Sequence, residues 1–425
     1  MNIKKRILVF PCGSEIGLEI HNALEYSRHV ELYGGSSVDD HGNFVYKNYI
    51  GGLPFIYDKN FISKLNKIIT EYKIDYIYPA HDDVVYKLAK NEKKIACKLI
   101  GPTDKTAEIC RFKAKTYEFF KNLLPVPKVY ENATEIKRYP VFLKPNAGQG
   151  SRGTFVANNK DEVEHYLRRD KSLLILEFLP GREYTVDCFT NRNGKLLFAG
   201  PRVRARIQNG ISVNTFPVKN KHTFINYAEI INSNLKLRGA WFFQVKRNSY
   251  GKLVLLEIAN RIAGSMALYR NLGINFPLLT IYDMSGINVR ILQNNYRIEL
   301  DRALANRFKI YLDYDEVYVD LDDCLLIKQN LNTRLISFLF QCVNNNKKIY
   351  LITRRARNLG DILQKYRINH LFDKIYKIDN KQAKSDLIKN SKAIFIDDSF
   401  AERLEVYTKK RIPVFSVDAI ECLLE

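Results

Sequence analysis

The chain has no run of about 18 uninterrupted apolar residues, so no membrane span is expected. Its start is basic, from Lys4 to Arg6, but the apolar run 7–10 is too short for a signal-peptide core and Pro11 interrupts it. No C-x-x-C pair occurs among Cys12, Cys97, Cys110, Cys188, Cys324, Cys342 and Cys422, which therefore read as buried free thiols of a cytoplasmic protein. A complete G-x-G-x-x-G is also missing, although Gly13 and Gly17 follow the first apolar strand, and this argues against a dinucleotide site. No recognised nucleic-acid-binding motif is present, so nucleic acid is not the expected partner. Acidic residues are the minority, 46 against 67 Lys and Arg, a formal net charge of +21. That excess is spread through short clusters without a single block. It fits a Lys- and Asn-rich proteome, and also an anionic substrate, product or surface.

What is present is enough for full cores. The chain has 425 residues, 46% of them hydrophobic and 12% aromatic, a length for two or three domains. The first informative segment starts at Tyr139. The apolar strand Val141-Phe142-Leu143 delivers Lys144, a loop follows with Gly148, Gly150, Ser151, Arg152 and Gly153, and a second strand starts at Phe155. Glycines let backbone N–H groups approach phosphate oxygens, while Lys144 and Arg152 offset their charge. A hairpin turn looks the same, so the loop alone decides little. The next segment strengthens it. A buried-strand pattern from Leu173 ends in Glu177-Phe178-Leu179, where an extended backbone can meet an adenine edge, and Glu183 beyond the turn can accept from ribose hydroxyls.

This order of segments resembles the ATP-grasp superfamily, in its carbamoyl-phosphate-synthetase-like and pyrrolysine-biosynthesis-ligase-like branch, over roughly residues 5–295. By that resemblance Lys113 is the first nucleotide-binding cation, with Phe112 where the family often has Asp, and Lys144 is the second. The stretch from Gly239 to Gly264 is similar to the family's metal-binding hairpin, with Gln244 and Glu257 on strands joined by a turn at Asn248-Ser249-Tyr250-Gly251. Facing strands would turn both oxygens toward one Mg²⁺, a cation that prefers hard oxygen ligands. The family's Asn two residues beyond the glutamate is Ala259 here. Asn260 comes one position late and should face away. Arg261 matches the family arginine near the transferred phosphoryl group.

Arg202, Arg204 and Arg206 alternate in a strand-like segment, which predicts one shared face suited to bidentate capture of a carboxylate or phosphate. A solvated sheet face is the plainer explanation. Their position between the adenine segment and the metal hairpin favours acceptor binding, with Gly210 and Ser212 in a loop beside them. Ahead of these, a strand at 6–10, a turn, the amphipathic segment 18–26 and a strand at 74–78 form the Rossmann-like domain that ATP-grasp enzymes carry in front. Asp82 or Asp83 is expected to cap the following helix or to point into the cleft, and His81 to be structural.

Near the C-terminus, strand Val317-Tyr318-Val319 delivers Asp320, with Asp322 two residues on. Strand 349–352 ends in Thr353, and strand 393–396 ends in Asp397-Asp398. Three apolar strands ending in polar groups imply a parallel sheet with its site at the strand C-termini. This resembles the haloacid-dehalogenase (HAD) superfamily across 316–425. By that resemblance Asp320 is the nucleophile, Asp322 the general acid/base, Thr353 the phosphate ligand and Lys384 (or Lys381) the charge stabiliser. Asp320, Asp322 and Asp397 would hold Mg²⁺. Cys324 stands where Thr or Val is usual. No gap is long enough for a separate cap domain.

The expected fold class is therefore α/β, organised as a Rossmann-like pre-ATP-grasp domain at 1–103, an α+β ATP-grasp domain at 104–300, a linker with a short helix at 301–315 and a three-layer HAD-like domain without a large cap at 316–425. The expected function is bifunctional. An ATP-dependent carboxylate–amine ligase would act through an acylphosphate, with ATP and Mg²⁺ as cofactors and a small-molecule carboxylate and amine as substrates, joined to a Mg²⁺-dependent phosphatase. The alternatives are a small-molecule kinase/phosphatase and, less favoured, a nucleic-acid-end processing protein. A homodimer is compatible with the sequence.

Overall fold

Apolar strands that alternate with amphipathic helices build the first sheet. Strands β1 (Lys5–Phe10), β2 (Val30–Gly35), β3 (Asn48–Ile50), β4 (Tyr76–Pro79) and β5 (Lys98–Leu99) pair in parallel in the order β3-β2-β1-β4-β5. Ile7, Leu8 and Val9 are fully buried because both faces of β1 are covered. Ile20 and Leu24 of the helix Glu15–Leu24 pack with Ile7 and Val9, while Leu65 and Leu88 pack with Leu8 on the other face. The computed structural model describes residues 4–148, 150, 152–304, 307–308, 310–355 and 357–424. It divides into two units, 1–305 and 306–425.

The turn after β1 requires small residues. A Cβ on Gly17 would lie 2.3 Å from the Cys12 carbonyl oxygen, and one on Gly13 would meet the Asp40 carboxylate at 2.2 Å. Gly17 therefore serves close helix–strand packing, and Gly13 leaves room for the Asp40 side chain. Ser14 caps the helix by accepting from the Gly17 N–H at 3.0 Å, so the helix begins at Glu15, three residues before the expected Leu18. His81, rather than Asp82 or Asp83, caps the helix Asp82–Lys90, its Nδ1 accepting from the Asp83 N–H at 3.2 Å.

Two further sheets follow in the first unit. A four-stranded sheet runs in the order β6-β9-β7-β8, from β6 (Val129–Tyr130), β7 (Val141–Pro145), β8 (Phe155–Ala157) and β9 (Leu173–Glu177). Val163 of the helix Lys160–Arg169 packs against Val141, Leu143 and Ile175. The second is antiparallel, in the order β14-β13-β10-β11-β12-β15. It comprises β10 (Glu183–Thr190), β11 (Leu196–Gln208), β12 (Ile211–Pro217), β13 (Gly239–Arg247), β14 (Leu253–Ala259) and β15 (Leu300–Asp301). Its alternation of side chains is decisive. Val186, Cys188, Val203, Trp241, Phe243 and Leu255 pack on Phe224, Ala228 and Ile231 of the helix His222–Asn234. Glu183, Thr185, Arg202, Arg204, Gln244 and Glu257 are thereby left on the opposite, polar face.

The short helix expected within 301–315 does not form among the described residues. Asp301 pairs at the β15 edge with Asn214, and the Arg302 N–H donates to the Val213 carbonyl at 2.8 Å, which keeps the chain extended. Leu304 and Tyr311 are each 97% exposed.

The second unit is a parallel sheet in the order β20-β19-β16-β21-β22, from β16 (Glu316–Asp320), β19 (Lys348–Thr353), β20 (Lys374–Lys377), β21 (Ala393–Ile396) and β22 (Val414–Phe415). The small hairpin β17 (Leu326–Ile327) and β18 (Asn330–Leu331) follows β16. Leu335, Phe338 and Leu339 of the helix Thr333–Asn344 cover one face through Val317 and Val319. Val406 of the helix Phe400–Lys410 covers the other through Tyr318 and Phe395. Among the described residues no helix is long and apolar enough to cross a membrane.

Candidate functional site

In the first unit a cavity of about 270 Å³ lies between the two later sheets. Its lining brings together Lys113, Lys144, Gly150, Arg152, Glu177, Phe178, Leu179, Glu183, Gln244 and Glu257. Lys144 ends the buried part of β7, 7% exposed, with its ammonium 5.3 Å from the Tyr117 ring centroid. Burial, reinforced by Lys113, pushes its amine down to about 7, against the opposing pull of Glu257 and Glu183. Lys113 Nζ donates to the Gly148 carbonyl at 3.1 Å, which ties it to the glycine loop. Gly150 and Gly153 both have positive φ, 61° and 69°. Gly153 lines neither this cavity nor the next and serves the turn alone. Ser151 lies outside the described residues.

Gln244 and Glu257 are direct cross-strand partners on β13 and β14, so their side chains share the polar face. An amide oxygen beside a carboxylate is a hard donor set that fits Mg²⁺. Asn260 falls outside both cavity linings and borders Cys110, as its odd spacing from Glu257 requires. Two lining residues that the sequence pattern did not single out, Thr185 and Lys246, stand two positions from Glu183 and Gln244. The period of two carries that signal.

A second cavity of about 800 Å³ shares Lys113, Gly148, Gly150, Arg152, Glu183, Gln244 and Glu257 with the first. It extends to Ser14, His81, Asp82, Thr185, Arg202, Arg204, Arg261 and Arg302. Asp82 points into this cleft and holds Arg261 through two hydrogen bonds of 2.7 and 2.6 Å. Burial opposes ionisation of Asp82, but Arg261 overcomes it and keeps the carboxyl below its ordinary range. The three alternating arginines do not form an open cationic stripe. Arg202 is held by Asp187 at 2.7 Å, Arg204 by Glu183 at 2.8 Å and Arg206 by Asp301 at 2.8 Å. A register shift beyond Arg204 sends Arg206 out to the β15 edge. Each of the three arginines expected to capture a ligand is thus paired with a carboxylate of the protein, with the side chains of Arg202 and Arg204 buried and that of Arg206 exposed.

In the second unit, β16 lies between β19 and β21, in register Asp320↔Ile352 and Val319↔Ile396. That register sets Asp320 beside Thr353 on one side and Asp397 on the other, all at strand C-termini. Lys384 Nζ donates to Asp320 and to Asp397, at 2.6 Å each. Burial raises Asp320 to about 7, Lys384 opposes that rise and Asp397 adds to it. Thr353 is 1% exposed. The three carboxylates that converge within 4.8 Å are Asp320, Asp397 and Asp398. Asp322 lies outside this group, and Arg355 Nε donates to it at 3.0 Å. The Lys381 N–H closes a turn on Asp379, so Lys384 is the lysine of this cluster.

A family model described as ATP-grasp in the biosynthetic pathway with Ter operon matches residues 169–302. A D-alanine–D-alanine ligase of Fusobacterium nucleatum is 27% identical over 161 residues, 34% of this chain and 54% of that one. An arginine-specific carbamoyl phosphate synthase large chain of Halalkalibacterium halodurans is 23% identical over 219 residues, 45% of this chain and 20% of that one. The chain thus spans about half or less of the length of these curated relatives. Among solved structures, the biotin carboxylase domain of a Hydrogenobacter thermophilus 2-oxoglutarate carboxylase has a TM-score of 0.58 at 16% identity. That match covers 69% of this chain and 72% of that one. An L-amino acid ligase from Bacillus licheniformis has a TM-score of 0.54 at 17% identity, covering 67% and 75%. The fold is α/β with ATP-grasp neighbours, and the similarities support an ATP-grasp superfamily ligase. ATP-grasp ligases use ATP and Mg²⁺.

Proposed function

We propose that the first unit is an ATP-dependent carboxylate–amine ligase that acts through an acylphosphate. The observation that carries this reading is the overlap of the two cavities at Lys113, Gly150, Arg152, Glu183, Gln244 and Glu257. ATP would occupy the smaller cavity, its adenine along 177–179 and its phosphates toward Lys113 and Lys144. The acceptor would occupy the larger one. Gln244 and Glu257 would hold Mg²⁺, which when bound supplies charge neutralisation at the phosphate oxygens. A carboxylate oxygen attacks the γ-phosphorus as its bond to ADP breaks. An amine then attacks the acyl carbon, phosphate departs with the bonding pair, and the nitrogen loses a proton. Alignment and charge offset supply most of the rate in such transfers. ADP release with MgATP, screened against pooled carboxylates and amines and followed by product identification, tests this. An amide supports it, whereas a stable phosphorylated acceptor favours the kinase reading.

For the second unit, the arrangement of Asp320 between Thr353 and Asp397, braced by Lys384, supports a HAD-type phosphatase. Asp320 would attack phosphorus, displace the alcohol and form an aspartyl-phosphate that water hydrolyses. Thr353 would hold the phosphoryl oxygens. Proton donation from Asp322 requires its pair with Arg355 to open. Asp320, Asp397 and Asp398 would hold the metal. Hydrolysis of a generic phosphate ester, lost on Asp320→Asn, is the test.

A further inference from the structure

Strand register sets four polar side chains in one row across the central sheet. Arg202 of β11 faces Thr185 of β10, Thr185 faces Gln244 of β13, and Gln244 faces Glu257 of β14. All four line the larger cavity, and Gln244 and Glu257 also line the smaller one. The row therefore runs from the meeting point of the two cavities into the acceptor side. At its inner end two polar atoms lack a partner. Thr185 Oγ1 and Arg202 Nη1 are buried and make no hydrogen bond to the described protein, in side chains only 1% exposed. A buried donor without an acceptor is costly, and such groups in a cavity wall are matched by what the cavity receives.

Four neighbouring arginines have carboxylate partners. Arg204 bonds Glu183 and the Gly210 carbonyl, Arg261 bonds Asp82, Arg111 bonds Asp83 and Arg302 bonds Glu15. Arg202 lines the larger cavity and differs, because Asp187 takes only Nε at 2.7 Å and Nη2 at 3.2 Å and leaves the buried Nη1 without an acceptor. That grip fixes the guanidinium plane in advance. We propose that Arg202 Nη1 and the Thr185 hydroxyl together bind the carboxylate of the acceptor and present it to the γ-phosphate, an assignment that rests on the ligase reading above. A guanidinium only donates, so the ligand must bring acceptor oxygens. Asp187 already offsets the Arg202 charge, which suits a singly charged carboxylate better than a phosphate dianion.

The test uses the full-length protein and the isosteric Thr185→Val, with Thr185→Ser as the variant that keeps the hydroxyl. The probes are MgADP for binding, and MgATP with the common L- and D-amino acids and short dicarboxylic acids for ADP release. For the most active carboxylate, Thr185→Val is expected to lower kcat/KM about 10- to 100-fold, the loss of one hydrogen bond to a charged group. MgADP affinity is expected to stay at the parent value, and Thr185→Ser to recover most of the activity. Parent-like kcat/KM in Thr185→Val overturns the subsite. So does weakened MgADP binding in that variant, which would give Thr185 to the nucleotide. A parent protein that binds MgADP but responds to none of these carboxylates also overturns it. Failure of the parent to bind MgADP sinks the ligase reading itself, and the subsite with it.

Discussion

At Lys144, burial and the ammonium of Lys113 lower the amine to about 7, far below its unfolded value, while a bound triphosphate would favour the charged form. The folded protein therefore holds less proton than the unfolded chain between about pH 7 and 10, so this group makes stability rise with pH across that window. Nucleotide affinity moves the other way. Above pH 7 the site must take up a proton to pair with phosphate, and the Kd for MgADP is expected to rise by up to about tenfold per pH unit. Calorimetric titration in buffers of different ionisation enthalpy reads that uptake directly, and a Kd flat between pH 7 and 9 would contradict it. Lys144→Ala should abolish nucleotide-dependent ADP release while the circular dichroism spectrum stays native. Unaltered release in that variant would remove Lys144 from the site. Glu257→Gln keeps the shape but removes a charge from the proposed Mg²⁺ position, so the Mg²⁺ concentration for half-maximal activity should rise sharply. An unchanged requirement would make the hairpin purely structural.

Secondary structure carried much of the candidate site into view, because local patterns encode it. Lys144 at a strand end, Glu257 on a hairpin and Asp320, Thr353 and Asp397 after apolar runs are each read from a few neighbouring residues. What stayed hidden depends on pairing between distant strands. Register alone sets Thr185 against Arg202, and chain folding alone joins Asp82 to Arg261 across 179 positions. The spacing of Arg202 and Arg204 was legible as one face, but the irregularity that sends Arg206 to the β15 edge and the carboxylate beside each arginine were not. The segment 301–315 misled for a related reason. At its start, pairing of Leu300 and Asp301 with β12 is a long-range contact that no local pattern announces. The turn after β1 gives a test at this scale. Gly17→Ala would force a methyl group within 2.3 Å of the Cys12 carbonyl, so the unfolding transition of residues 1–305 should lose about 1–3 kcal/mol. An unchanged denaturation midpoint would show that the helix shifts freely.

At the level of the whole chain the two proposed chemistries occupy separate units, with Asp320 in the second and Lys113 and Lys144, the lysines proposed to face the nucleotide, in the first. Asp320→Asn should therefore eliminate hydrolysis of a generic phosphate ester and leave ADP release by the first unit near the parent rate. Loss of both activities would mean that the units are coupled. The central claim concerns the first unit, and oxygen tracing tests it most directly. The active carboxylate from the ADP-release screen is prepared with ¹⁸O in its carboxyl group and incubated with MgATP and the amine, and the inorganic phosphate is analysed by mass spectrometry. An acylphosphate route predicts one ¹⁸O in each phosphate released with the amide. Phosphate free of label, or label retained in a stable phosphorylated acceptor, would contradict the account.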